Sequence, residues 1–436
     1  MTITQSSSQR VSERRAWYIV IVCMLAYILS FIDRQILSLL IEPIKADLQI
    51  NDTEFGLLSG LAFAIFYSTM GIPIASLSDR SSRPGIIAGG IAVWSLATAA
   101  CGLAGGFLVL FCARVVVGAG EAALSPATYS LISDLFKREK LGRATAVYSI
   151  GSFLGAGIAF LVGATIISLV SSSEATTLGG IEFRPWQLVF LIVGLPGVLL
   201  AALVFFTIRD PVPPSERVVG GVPNFGDVMA MLSQRRTIFV PHIVGFTFAA
   251  MALFAILTWS PAYLMRTFGL SAAASGFWLG LVAILAGGGG VLTSGWLMDW
   301  LNRKGHRDAP FLTGIIGAAG VVVPSAFLPF AGNLETALWV LGAALFFASF
   351  PMPPSTAVMQ IAAPNNMRSR VSAIFLFSNS MIGAAGGSML IGLLNDKLFG
   401  LNEGVGKSIA LVACVAAILA VIVLWRGRRP FSEFSA

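Results

Sequence analysis

The chain has 436 residues, 56% of them hydrophobic and only 11% charged, with a net charge of +7 and a mean hydropathy of +0.85. That balance excludes an ordinary soluble globular protein and describes a polytopic membrane protein. The positive charge does not point to nucleic acid, because the basic residues fall in short connectors between apolar runs.

The first fifteen residues are rich in Ser and Arg and show no cleavable signal, and the apolar run that follows is long enough to remain as a span. About twelve spans can be drawn, over residues 17–41, 55–77, 85–105, 107–136, 143–170, 186–208, 237–263, 274–298, 310–331, 335–361, 371–394 and 406–425. The expected class is therefore all-α. Tails over 1–16 and 426–436 and a connector over 209–236 divide it into halves at 17–208 and 237–425. The tails and every second connector carry twenty-one basic residues and the intervening connectors carry five, namely Lys45, Arg184, Arg266, Lys397 and Lys407. This bias predicts that both termini are cytoplasmic, in the cell's inner (plasma) membrane. An even number of spans agrees.

The connector holds Pro211, Pro213, Pro214 and a Gly pair, and reads as a linker between halves of six spans. The halves repeat. A shift of 220 residues places Gly56 on Gly276, Gly60 on Gly280, Asp79 on Asp299 and Arg83 on Arg303. Parallel repeats of this kind place a substrate path at the midplane between them.

Charges inside the spans carry the functional signal. Arg114 and Glu121 in the fourth span are seven residues apart, so they project from one helix face, about 10 Å from each other along the axis. Each costs about 2.5–3.5 kcal/mol at the centre of a lone helix, so each must face protein or water. A structural ion pair and a polar transport site are the two readings, and intramembrane charge favours the second. Asp33 and Arg34 form a second pair in the first span. At about 1.5 Å per residue, Asp33 is roughly 27 Å beyond Arg15 and roughly 18 Å short of Lys45. All four charges then fall between the midplane and the outer half, and predict one cluster of two acids and two bases. Asp33 is expected to change its protonation most between states, and Glu121 to keep Arg114 as its partner.

The second half has no ionisable side chain in a span interior between Arg266 and Lys397. It offers Phe254, Phe375, Phe377 and Asn379 as candidates for an apolar wall, although such residues commonly serve as core or lipid-facing positions. A charged wall facing an apolar one suits an anionic amphipath. Asn51-Asp52-Thr53-Glu54 matches a glycosylation sequon, but a helix cap is the simpler role. Glycines at 151, 155 and 157 and at 287–290 read as close packing, or as a hinge. Cys23, Cys101, Cys112 and Cys414 have no metal spacing and read as free thiols, so no metal or cofactor is implied beyond protons as coupling ion. His242 and His306 are the sole histidines, and no HExxH or GxSxG is present, which argues against an enzyme.

Asp79-Arg80-Ser81-Ser82-Arg83 after the second span, and Gly295 to Lys304 after the eighth, resemble the loop motif G-x-x-x-D-R-x-G-R-R of the major facilitator superfamily. The first copy has Ala75 and Ser82 where glycines are usual, and the second has Leu301-Asn302 inside. The resemblance implies an inner gate built from Asp79, Arg80 and Arg83, with Arg143, Asp299 and Arg303. Arg114 with Gly118 and Gly120 is similar to that superfamily's fourth-helix motif. Phe31-Ile32-Asp33-Arg34, taken with Gly118-Ala119-Gly120-Glu121-Ala122 and Pro126, resembles the Spinster family of lysolipid and sphingolipid-phosphate transporters. That resemblance implies Asp33 or Glu121 as proton-sensing acids, and Arg34 and Arg114 as headgroup contacts. The expectation is a monomeric secondary transporter of an anionic lipid, working by alternating access in the bilayer. A symporter of a small organic acid fits the same arginines, and a nontransporting sensor would look alike in sequence.

Overall fold

The computed structural model describes residues 12–171, 176–178, 181–211, 225–364, 367–400 and 404–435. In lipid no water is available to satisfy backbone N–H and C=O groups, so each long apolar run closes its own hydrogen bonds as a helix. In chain order the long helices are Glu13–Leu39, 52–80, Arg83–Cys101, Phe107–Leu135, Arg138–Ser171, Pro185–Thr207, Arg236–Phe268, Ala272–Arg303, Ala309–Phe330, Leu334–Ala362, Arg370–Phe399 and Gly404–Phe434. They are numbered first to twelfth below. Eleven of them are long and apolar enough to cross a membrane; the exception is the second, which is continuous but whose side chains at 72, 75, 76, 79 and 80 lie outside the described residues.

Several helices depart from regularity. The fourth breaks after Glu121 and resumes at Leu124, with Pro126 in the first turn of its second segment. The tenth breaks after Ala348 and restarts at Met352, where Pro353 and Pro354 are tolerated because first-turn N–H groups have no helical acceptor. Wide π-turns occur at Leu57–Leu61, Ala283–Gly287, Asn379–Gly386 and Asn395–Phe399. They lie in the second, eighth and eleventh helices, which meet the opposite half.

Three local expectations change. Part of the expected linker is a helix, Phe225–Gln234, which buries Val228, Met231 and Leu232 in the core of the second half; residues 212–224 lie outside the described set. The expected tail from 426 continues the twelfth helix to Phe434, because Phe431 is buried against Phe311 and Arg428 pairs with Asp308 at 2.6 Å. A short antiparallel pair, Thr176–Leu178 with Ile181–Phe183, interrupts an otherwise helical chain.

The repeated glycines hold the two halves together. A Cβ on Gly56 would lie 2.9 Å from the Ser388 carbonyl oxygen, and one on Gly60 would lie 2.7 Å from Ala385 Cα. Both cross the second helix against the eleventh. Their counterparts do the same between the eighth helix and the fifth, with Gly276 meeting Phe160 O at 2.9 Å and Gly280 meeting Gly157 O at 2.9 Å. Only a residue without a side chain allows these backbones so close. Side-chain hydrogen bonds and ion pairs join the halves at one end, around Asp52, Arg266 and Asp396, and Ser59 bonds Ser388 further along the same two helices. That end is closed. The opposite end, where the arginine-rich connectors gather, is called the basic end below.

Candidate functional site

Four charged side chains meet inside the first half. The first helix presents Asp33 and Arg34, and the fourth presents Arg114 and, at its break, Glu121. Glycines set the approach of the fourth helix: Gly118 lies directly on the Phe63 carbonyl, and a Cβ on Gly120 would stand 2.6 Å from Trp94 N. Side chains there would push the fourth helix off the second or the third.

Arg34 donates to Glu121 Oε2 from Nε at 2.8 Å and from Nη2 at 2.5 Å. Its guanidinium carbon is 4.4 Å from the ring centre of Phe63, 4.9 Å from Tyr67 and 5.2 Å from Phe31. These rings present electron-rich faces to a cation. Arg114 Nη1 donates to the main-chain carbonyl of Asp33 at 3.1 Å. Asp33 Oδ1, Glu121 Oε1 and Arg114 Nε are buried without a hydrogen-bond partner. The Arg34 side chain is 20% exposed, whereas Asp33, Arg114 and Glu121 are 1%, 1% and 3% exposed.

The structure thus brings together the four residues expected to cluster, with a different pairing. Glu121 binds Arg34 across helices rather than Arg114 on its own helix, from which seven residues of unbroken helix separate it by about 10 Å. Arg114 does not reach open space in this state and holds the Asp33 backbone. Of the expected apolar wall, Phe375 is buried with its ring 4.9 Å from that of His242, so it packs in the core instead. Phe254 is half-buried and Phe377 is exposed. Asn379 opens a π-turn, with its buried Oδ1 unpartnered.

The closed end holds a second charge cluster. Asp52, fully buried, accepts from Arg266 Nη1 at 2.6 Å, from Arg266 Nη2 at 2.9 Å, from Asn395 Nδ2 at 2.8 Å and from Lys45. Asp396 replies from the eleventh helix by accepting from the Thr53 N–H at 2.7 Å, the Thr53 hydroxyl at 2.6 Å and the Asp52 N–H at 3.2 Å. Those amides are donors without helical partners at the start of the second helix. The cap itself is Asn51, in a capping box with Glu54, so Asp52 is released for the seal. A signal was present in the sequence. Lys45, Arg184 and Arg266 stand on the side where basic residues are scarce, and each is paired with an acid: Asp52, Asp47 and Asp52.

At the basic end the two loop-motif copies diverge. Arg83, 1% exposed, binds Asp210 at 2.5 Å, Asp134 at 2.6 Å and the Ser130 carbonyl at 2.9 Å. Ser130 and Asp134 belong to the first half and Asp210 to the start of the connector just after the sixth helix, so Arg83 ties these neighbouring helix ends together. Arg143, Asp299 and Arg303 are exposed and make no ion pair among the described residues. The side chains of Asp79 and Arg80 lie outside the described residues.

Known proteins match this architecture from end to end. A profile of the Major Facilitator Superfamily matches residues 23–388. The chain is 31% identical to an "MFS-type efflux pump" of Mycolicibacterium smegmatis, over 99% of this chain and 98% of that one. It is 25% identical to human "Protein spinster homolog 1", over 87% of this chain and 73% of the relative. A solved bacterial homolog to the human lysosomal transporter Spinster, inward-facing and unoccupied, superposes with a TM-score of 0.79 at 24% identity, covering 98% of each chain. With its two six-helix halves, this chain belongs to the Major Facilitator Superfamily and is a transporter that resembles Spinster, not an enzyme.

Proposed function

We propose that the protein moves an anionic amphipath, of the lysophospholipid or sphingolipid-phosphate kind, by proton-linked alternating access. The observation that carries this reading is Arg34: a partly exposed guanidinium, ringed by Phe31, Phe63 and Tyr67, and tied to the buried carboxylate of Glu121. Arg34 holds an internal anion in the place where an external one would bind. A proton arriving at Glu121 or Asp33 weakens that hold and frees the guanidinium for a headgroup, so proton and cargo charge balance in one cluster. The aromatic rings next to Arg34, with Phe254 and Phe377 across the path, supply apolar surface for a chain. The arginine-rich connectors support cytoplasmic termini in the inner (plasma) membrane, with 1–16 and 426–436 at its inner face and 209–236 joining the halves. The closed end is then the outer one, and this state faces inward. A monomer suffices, because one chain contributes every residue of the cluster.

The test is uptake or efflux by purified protein in liposomes. Labelled lysophospholipids of decreasing acyl length are compared with small organic acids, with and without a pH gradient. Transport that weakens as the chain shortens and responds to the gradient is expected; transport indifferent to chain length refutes the lipid assignment. A small organic acid is the second reading, favoured because two guanidinium nitrogens already grip a carboxylate oxygen.

A further inference from the structure

Away from the transport path, the seventh and twelfth helices form a groove of about 320 Å³ at the basic end, lined by Arg236, Thr237, Val240, Pro241, Arg426 and Pro430. The helices lie close beside it: a Cβ on Gly427 would lie 2.8 Å from Pro241 Cβ. The neighbouring arginines are committed. Arg235 donates to the Ala362 carbonyl at 2.6 Å, and Arg428 binds Asp308 at 2.6 Å with its guanidinium 4.5 Å from the Trp425 ring centre. Arg236 and Arg426 are different. Both are exposed, and among the described residues neither makes a hydrogen bond or ion pair.

The prolines add a second half to the site. A proline has no N–H, so inside a helix the carbonyl four residues earlier loses its usual donor. Pro241 does this to Thr237 and Pro430 to Arg426, and all four residues line the groove. Two guanidiniums, and two carbonyls that lack an N–H partner four residues on, therefore belong to residues of one groove. Val240 and Trp425, 56% and 58% exposed, flank it at the depth where chain and headgroup meet.

We propose that this groove seats an anionic phospholipid of the basic-side leaflet whose headgroup also carries a hydroxyl donor. Phosphatidylglycerol is the probe. Its phosphate bridges Arg236 and Arg426, its glycerol hydroxyls donate to the freed carbonyls, and an acyl chain runs along Val240. The charge match selects a lipid over a protein partner, because the exposed wall below the arginines is aliphatic and points into the bilayer. The site is independent of Arg34 and Glu121.

Full-length protein in neutral detergent is titrated with phosphatidylglycerol, phosphatidic acid and phosphatidylcholine of equal chains, and bound lipid is counted by native mass spectrometry. Phosphatidylglycerol is expected to be retained at least tenfold more strongly than phosphatidylcholine, and more strongly than phosphatidic acid. The Arg236→Ala, Arg426→Ala double variant loses the preference, while Arg34→Ala keeps it. Arg429→Ala, which removes an exposed arginine outside the groove, also keeps it. Thermal midpoints establish that each variant is folded, and Arg426→Lys supplies a variant that keeps the charge without the planar fork and gives partial retention. Equal retention of all three lipids by the wild type overturns the proposal. So does a loss with Arg429→Ala as large as that with Arg426→Ala, which would mean diffuse surface charge. Retention of phosphatidic acid equal to that of phosphatidylglycerol overturns the role of the carbonyls.

Discussion

Two clusters of charge sit in this bundle, and they are satisfied to different degrees. At the closed end every oxygen of Asp52 and Asp396 has donors, and the partners come from both halves. Around Arg34 the members come from the first half alone, and Asp33, Glu121 and Arg114 each leave one polar atom without a partner. A network whose carboxylates are all paired resists rearrangement, since any movement breaks several bonds at once, even though the buried Oδ1 of Asn395 there has no partner. An unsaturated one changes its occupancy at low cost, because a proton, a water or an anionic group meets atoms already desolvated. The first arrangement suits a seal, the second a site that loads and unloads.

The sharpest way to break this contrast is at the seal. Asp52→Ala takes from Arg266 its buried acid but leaves Glu42 at 2.7 Å, and removal of one partner of a buried pair costs up to about 3–5 kcal/mol. Spin labels on exposed Ala46 and Thr267 should report a longer distance across the closed end. An unchanged distance would mean that the glycine crossings alone hold it shut.

Next in size is Arg34. Arg34→Ala removes the charged partner of Glu121 and of the proposed headgroup, a loss of about 2–5 kcal/mol, or about 30-fold or more in substrate affinity. Arg34→Lys should recover only part of it, because a point charge replaces a fork bound through two nitrogens. Equilibrium binding of cargo to both variants measures this. Equal affinity in Arg34→Ala and wild type would reduce Arg34 to a structural counterion for Glu121.

Asp33→Asn should affect affinity less than either, since the Asp33 side chain does not reach open space. Its expected effect is on coupling: a flatter pH dependence of transport in liposomes, with the fold intact. Wild-type pH dependence in Asp33→Asn, combined with its loss in Glu121→Gln, assigns proton sensing to Glu121. The smallest effect should come from Asp299→Asn, within about 0.5 kcal/mol of stability, because an exposed carboxylate without a partner contributes little. A strong transport defect there would revive a gating role for the second loop copy.

Much of this was readable from the chain because long apolar runs leave the backbone no alternative to spanning helices. The membership of the Arg34 cluster was legible too, since charge at bilayer depth has to be explained wherever it falls. Its pairing was not. Which guanidinium reaches Glu121 depends on how the first helix packs against the fourth, with Arg34 lying 87 residues away in sequence, and no periodicity within either helix fixes that. The seal was hidden for a different reason. Asp52 reads locally as a capping residue, and its partners Arg266 and Asn395 are 214 and 343 residues away. The exposed pair Asp299 and Arg303 taught the converse: a motif repeated at a fixed offset inherits position without inheriting the partners that Asp134 and Asp210 give to Arg83.

The wide turn at Asn379–Gly386 precedes Asn395 and Asp396 in the same helix. A π-turn carries about one residue more than an α-turn, so whatever follows is rotated by about 100° relative to an uninterrupted helix. The azimuth from which Asn395 and Asp396 address the second helix is therefore dialled in two to three turns earlier. Deleting one residue within 379–386 should swing both away from Asp52 and Thr53 while leaving the hydropathy of the span unchanged. A bulge that migrates along the helix would let the eleventh helix re-index its contacts turn by turn. The halves would then part by a travelling slip in register, with no moment at which the whole seam is open.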